Sequence, residues 1–171
     1  MLIRRALAFL LGLAAACGGG ADAGPAPGDY FQQLGRVSET AHIQERGLRR
    51  DLQSRLEDAP GGEDRMAVLT VFVDQSARLY LDVVDALRQL DPPQELAAAQ
   101  RAYLDAWRGQ LRLMRTVRDA PFPGTAQILK QLELPAFSDA ATETKARCED
   151  LQAEVGANGS QVDLVCDGRP S

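Results

Sequence analysis

The sequence predicts an all-α fold: an antiparallel bundle of about four helices with a C-terminal tail fastened back onto it. Three long segments within residues 29–118 carry apolar side chains at alternating steps of three and four residues, the spacing of one helix face. Turn-forming residues separate them, with Ala59-Pro-Gly-Gly62 after the first segment and Asp91-Pro-Pro-Gln94 after the second. Because short connections make sequential helices neighbours of opposite direction, we expect an antiparallel arrangement.

The first predicted helix covers about residues 30–57, and Asp29 is placed to cap its N-terminus. Its apolar side chains recur at Phe31, Leu34, Val37, Ala41, Leu48, Leu52 and Leu56. The second predicted helix covers about residues 63–90 and has the most regular pattern. Its inward positions are Met66, Leu69, Val73, Ser76, Tyr80, Val83, Leu87 and Leu90. Residues 66–73 are rich in β-formers and would suit a buried strand, but the helical register continues beyond them.

The third predicted helix begins in the proline-containing turn, where Asp91 serves as its cap and Gln94 completes a capping box. Its inward positions are Leu96, Ala99, Tyr103, Trp107, Leu111, Met114 and Val117. On the opposite face, four arginines form a narrow strip, at Arg101, Arg108, Arg112 and Arg115. Such a strip would suit an anionic headgroup or polymer, but a solvated face balanced by acidic neighbours is the simpler interpretation.

After a break at residues 119–124, a short helix is predicted over about residues 125–134. Ser138 then caps the last helix, which runs to about Val155. Its inward positions are Ala141, Cys148, Leu151 and Val155. The tail after the Asn158-Gly159 turn is predicted to be extended, because Val162, Leu164 and Cys166 alternate with largely polar residues.

The N-terminus has the layout of a secretory signal peptide. Arg4 and Arg5 precede an apolar run over residues 6–13, which three alanines and then Cys17 follow. The run of about a dozen residues is too short for a retained membrane span, which needs roughly 20. The Ala-Ala-Ala-Cys17 ending resembles the lipobox of bacterial lipoproteins, although Ala14 stands where leucine is commoner.

The lipobox resemblance implies that Cys17 receives a diacylglyceryl group and that the chain is cut just before it. The predicted organisation is a signal peptide (1–16), a lipidated cysteine with a flexible tether (17–28) and a helical-bundle domain (29–171). We expect an exported protein anchored in the cell envelope by its lipid. Its place is the outer membrane in a two-membrane cell, or the outer face of the cytoplasmic membrane in a one-membrane cell.

Lipidation of Cys17 would leave two cysteines, Cys148 and Cys166, in an oxidising compartment. The resemblance therefore implies a Cys148–Cys166 disulfide that fastens the tail to the last helix. The alternative is an ordinary signal peptide cut after Ala16, which would leave Cys17 as a free thiol. Residues 90–100 and 148–166 also resemble parts of small, uncharacterised helical bacterial lipoproteins, a likeness that implies no activity.

Charge and residue types exclude several functions. The chain carries a net charge of −5, and loss of Arg4 and Arg5 with the signal peptide would leave 17 basic against 24 acidic residues. We therefore expect no nucleic-acid partner, which needs a basic footprint. Glu39 and His42 are one half of a di-iron bundle motif, but no second histidine can complete it. The sequence predicts no metal, no cofactor and no enzymatic activity, and it places His42 at the edge of its helix stripe.

The remaining polar signal lies in the middle of the predicted core. Glu45, Ser76 and Gln110 interrupt otherwise apolar stripes at one height, beside Trp107. They could line a ligand pocket, or Glu45 could reach water at the edge while the other two bond locally. The function that the sequence favours is a non-enzymatic interaction module for a protein or cell-envelope partner. The alternative is a bundle that binds a small molecule at Glu45, Ser76, Trp107 and Gln110.

Overall fold

The computed structural model describes residues 27–59, 61–121 and 124–166. All regular secondary structure in these ranges is helical, in five elements: α1 (Pro27–Asp58), α2 (Gly62–Gln89), α3 (Ala97–Asp119), α4 (Thr125–Leu132) and α5 (Pro135–Ala157). The all-α prediction is confirmed. None of these described helices is both long and apolar enough to cross a membrane. The predicted signal peptide, Cys17 and tether residues 18–26 lie outside the described residues.

Three of the predicted caps are wrong. Asp29 lies inside the first turn of α1, which begins two residues earlier, so its charge faces the positive end of the helix dipole. Pro92, which would be the first helical residue after an Asp91 cap, itself precedes Pro93 and is disfavoured in helical angles, and α3 starts only at Ala97. Ser138 also lies within its helix, because α5 begins at Pro135, a residue type suited to the first helical position.

The helices pack in the order α1, α2, α3, α5. Helix α1 contacts α2, α2 contacts α3, and α3 contacts α5, while the short α4 contacts α2 and α3. The largest side chains that are fully buried come from every long helix and from the tail: Leu34, Leu69, Leu87, Leu96, Tyr103, Trp107, Leu151 and Leu164. The core is therefore continuous from α1 through α3 to the tail.

The tail lies between α1 and α5. Its residues 160–165 form no strand, and the predicted inward alternation holds fully only at Leu164, which is completely buried. The Ser38 hydroxyl on α1 donates to the Leu164 carbonyl. The Gln152 side chain on α5 binds the tail twice: its Oε1 accepts from the Leu164 N–H at 2.7 Å, and its Nε2 donates to the Val162 carbonyl at 2.9 Å.

Two further features hold the tail in place. A Cβ atom at Gly35 would lie 2.6 Å from Val162 Cγ1, so the glycine lets the tail approach α1 closely. The predicted disulfide is confirmed: Cys148 on α5 and Cys166 in the tail are bonded, with their Cα atoms 5.5 Å apart. Together these contacts make the tail part of the core.

Candidate functional site

An open cleft of about 210 Å³ separates α1 from α5. Its α1 wall is made by His42, Glu45, Arg46 and Arg49. These four residues share one helix face because their spacing, at i, i+3, i+4 and i+7, follows the helical repeat. The cleft therefore has a wall that is almost entirely polar.

The other sides of the cleft come from α3, α5 and the tail. Trp107 and Gln110 of α3 form its floor, and the opposite wall comprises Ala141, Thr144 and Lys145 of α5 together with Cys166. Three of the four residues predicted for a ligand site, Glu45, Trp107 and Gln110, thus line one cleft. The fourth, Ser76, is buried on α2 and is not part of the lining.

Glu45 is held by two hydrogen bonds. The Tyr80 hydroxyl donates to its Oε1 at 3.2 Å, and Arg49 Nη2 forms an ion pair with the same oxygen at 2.8 Å. The Glu45 side chain is only 18% exposed, so these donors replace much of its lost hydration. Burial, and next the negative charge of Glu45, raise the pKa of Tyr80 above its ordinary value of 10.0.

The floor of the cleft contains a short chain of buried hydrogen bonds. Gln110 Nε2 donates to Thr144 Oγ1 at 2.7 Å, and Thr144 Oγ1 donates to the Ala140 carbonyl at 2.9 Å. Both side chains are less than one-tenth exposed. This chain joins α3 to α5 below the opening, so the floor cannot spread without breaking a hydrogen bond.

Trp107 lies at the centre of an aromatic cluster. It is fully buried, and its ring centroid lies 5.5 Å from that of Tyr80 and 6.2 Å from those of His42 and Tyr103. The prediction that His42 lies at an edge is wrong, because the side chain is only 9% exposed and packs on the indole. Burial raises the pKa of Tyr103, and the Ser38 hydroxyl and the Trp107 indole N–H partly offset that rise.

The charge balance of the cleft is opposite to that of the chain. Among the described residues that line it, three side chains are cationic, Arg46, Arg49 and Lys145, and one is a carboxylate, Glu45, whereas the whole chain is acidic. By contrast, the arginine strip on α3 is largely exposed. Arg101, Arg112 and Arg115 are exposed there, and Arg108 pairs with its neighbour Asp105 at 2.8 Å. The solvated-face interpretation therefore suits the strip.

The sequence contained signals for cleft residues that the prediction missed. The apolar stripe of α1 skips a turn between Ala41 and Leu48, which is where the polar wall lies. On α5, Thr144 falls midway between the inward positions Ala141 and Cys148, so it occupies a core position. Polar residues at such positions mark a place where a core opens or carries a hydrogen bond.

Alkaline titration should report on the buried tyrosines. All three tyrosines of the chain, Tyr30, Tyr80 and Tyr103, are buried, and burial raises the pKa of each above 10.0. The neutral phenols therefore stabilise the fold fully below about pH 10, and this stability is lost as the pH rises further and the unfolded chain ionises. We expect phenolate absorbance to appear only as helical circular dichroism disappears. Ionisation with a midpoint near pH 10 in an intact helical protein would contradict this expectation.

Metal ions need a set of ligand side chains that lie close together. Within residues 27–59, 61–121 and 124–166, no group of three histidine, cysteine or acidic side chains is placed to hold a metal ion. What the arrangement can do is bind a small polar group between two helices, over a rigid floor. Comparison of the chain with protein-family models, curated proteins and solved structures gives no match.

Proposed function

We propose that this protein is an exported, lipid-anchored binding module without enzymatic activity, and that the cleft between α1 and α5 holds its small-molecule ligand. The observation that carries the proposal is the convergence of Glu45, Trp107 and Gln110 on one cleft with a hydrogen-bonded floor. The scaffold is best described as an antiparallel bundle of α1, α2, α3 and α5, in which the tail fills one part of the α1–α5 gap and leaves the cleft in another.

The surface supports a small ligand better than a large protein partner. The four large apolar side chains most exposed in the described part of the chain are spread over three places: Ile43 on α1, Val71 and Leu81 on α2, and Leu134 before α5. Val71 and Leu81 are ten residues apart, which is about 15 Å along a helix. Four exposed apolar side chains are normal on a protein surface and are few for a docking patch.

A second candidate function is docking to an anionic cell-envelope component through α3. It is favoured by the exposure of Arg101, Arg112 and Arg115 on one face of that helix. Exposed basic strips attract polyanions, and this contact would be weakened by salt. The net negative charge of the chain works against it, so the cleft remains the stronger proposal.

The disulfide supports export. Disulfides persist in oxidising compartments and are rare in the reducing cytosol. The Cys148–Cys166 bond is therefore compatible with transport out of the cytoplasm, as the resemblance of Cys17 to a lipobox cysteine implies. Anchoring through Cys17 would hold the cleft near the membrane, with the outer membrane as the destination in a two-membrane cell.

One purification tests the anchor and the cleft together. Cells fed labelled palmitate should yield labelled wild-type protein and unlabelled Cys17→Ser protein. Small molecules released on denaturation should differ between wild type and Ala141→Phe, because a phenyl ring at this cleft-lining position occupies the ligand volume. Ala136→Phe, at an exposed position of the same helix, is the matched control and should retain the ligand. Equal label in the wild type and the Cys17→Ser variant would reject lipid anchoring through Cys17. Identical small molecules in the wild type, Ala141→Phe and Ala136→Phe would reject the cleft as the ligand site.

A further inference from the structure

Two side chains that line the cleft, from opposite walls, can only donate hydrogen bonds. Arg46 and Lys145 carry donors only, and Glu45, the one carboxylate among the lining residues, already accepts from Tyr80 and Arg49. A ligand that satisfies this lining must therefore bring acceptor atoms.

The charges of the cleft walls also favour a ligand with acceptor atoms. Arg46 is half-buried, and within the described residues no carboxylate lies within ion-pair distance of it. Lys145 stands on the facing wall, and its contact with Glu149 is long, at 3.6 Å, and exposed. Two cations from opposite walls thus face a gap in a protein whose net charge is negative. A concave site of this kind raises the local concentration of anions.

The size of the cleft limits the ligand. Its volume of about 210 Å³ is below the roughly 300–1,000 Å³ of pockets for drug-sized molecules. The cleft also opens to solvent, so only one end of a longer ligand needs to enter it. A single carboxylate or phosphate group, with a small apolar part against the floor, meets these limits.

We propose that the α1–α5 cleft binds a small oxyanion, a carboxylate or a phosphate, through Arg46 and Lys145. This inference rests on the proposed function, and it adds the chemical class of the ligand. Arg46 provides the planar guanidinium that pairs well with either group, and Lys145 provides a point charge from the opposite wall. Glu45 is paired with Arg49, and this ion pair reduces the repulsion between the Glu45 carboxylate and an anionic ligand.

The test uses the full-length chain in neutral detergent and the emission of Trp107, the single tryptophan, which reports from the floor of the cleft. Benzoate, benzamide and benzamidine share one shape and differ in charge, so together they isolate the contribution of the anion. We expect saturable binding of benzoate that weakens with added salt, and little or none of the other two. Arg46→Gln should weaken benzoate binding about tenfold or more, the loss expected for a charged hydrogen bond. Arg36→Gln, an exposed arginine of the same helix outside the cleft, should change it less than about twofold.

Three outcomes would overturn the inference: benzamide binding as tightly as benzoate, Arg46→Gln binding as well as Arg36→Gln, or no saturable binding of any anion. If benzamide binds as tightly as benzoate, the cleft is still a small-molecule site, but it has no preference for anions. Loss of the proposed function is judged separately, by the small molecules that co-purify with the wild type and the Ala141→Phe protein. Inorganic phosphate and glycerol 3-phosphate show whether the oxyanion belongs to a lipid headgroup or is a free anion. Tighter binding of glycerol 3-phosphate than of benzoate and inorganic phosphate assigns the cleft to a lipid headgroup. Tighter binding of benzoate or inorganic phosphate than of glycerol 3-phosphate assigns it to a free anion.

Discussion

Replacing Trp107 with alanine should lower the free energy of unfolding by about 3–5 kcal/mol. The side chain is fully buried, and its ring contacts those of His42, Tyr80 and Tyr103. Its removal therefore leaves a cavity at the point where α1, α2 and α3 meet, and it also removes ring contacts that contribute beyond buried area. Urea denaturation followed by helical circular dichroism measures the loss without relying on tryptophan emission.

Two control variants show whether this loss comes from packing. Arg112→Ala, at an exposed position of the same helix, should change the free energy of unfolding by less than about 0.5 kcal/mol. Trp107→Phe keeps an aromatic ring in the cluster and should lose less than the alanine variant. An alanine variant within about 1 kcal/mol of the wild type would mean that the indole does not fill the core.

The periodic parts of the fold were predictable from the sequence because burial repeats with the helix. Tyr103, Trp107, Leu111 and Met114 follow one register, and all are buried in α3. The helix ends were less predictable, because capping depends on backbone angles that several local residues determine together. At Asp91, for example, the residue type favours a cap, but Pro93 disfavours helical angles at Pro92, and α3 begins only at Ala97.

The site was predictable where a polar residue interrupts a stripe, as at Glu45 and Gln110. It was not predictable where the answer depends on how two distant helices face each other. Helical spacing within one helix does not show that a cleft separates α1 from α5. The sequence therefore did not predict that Arg46 and Lys145 line the same cleft. The burial of His42 has the same origin, because the side chain packs against the ring of Trp107 on a different helix, α3.

Reducing the Cys148–Cys166 disulfide should lower the free energy of unfolding by about 3 kcal/mol, the chain-entropy value for a closed loop of this size. The two cysteines are 18 residues apart, and the bond joins the buried Cys148 of α5 to Cys166 in the tail. Urea denaturation with and without reductant measures the change. The Cys148→Ala/Cys166→Ala variant should match the reduced wild type and should not respond to reductant.

Reduction of the disulfide should loosen the tail before it affects the helices. Once the Cys148–Cys166 bond is broken, only non-covalent contacts hold the tail against α1 and α5. The Leu164 N–H, which donates to Gln152 Oε1, should exchange with solvent faster after reduction, and amides in the middle of α2 should change much less. Cys166 also lines the cleft, so a loosened tail should weaken benzoate binding. Equal acceleration throughout the chain would show that the bond stabilises the whole fold against unfolding and does not hold the tail locally. Unchanged exchange at Leu164 would show that Ser38 and Gln152 hold the tail without it.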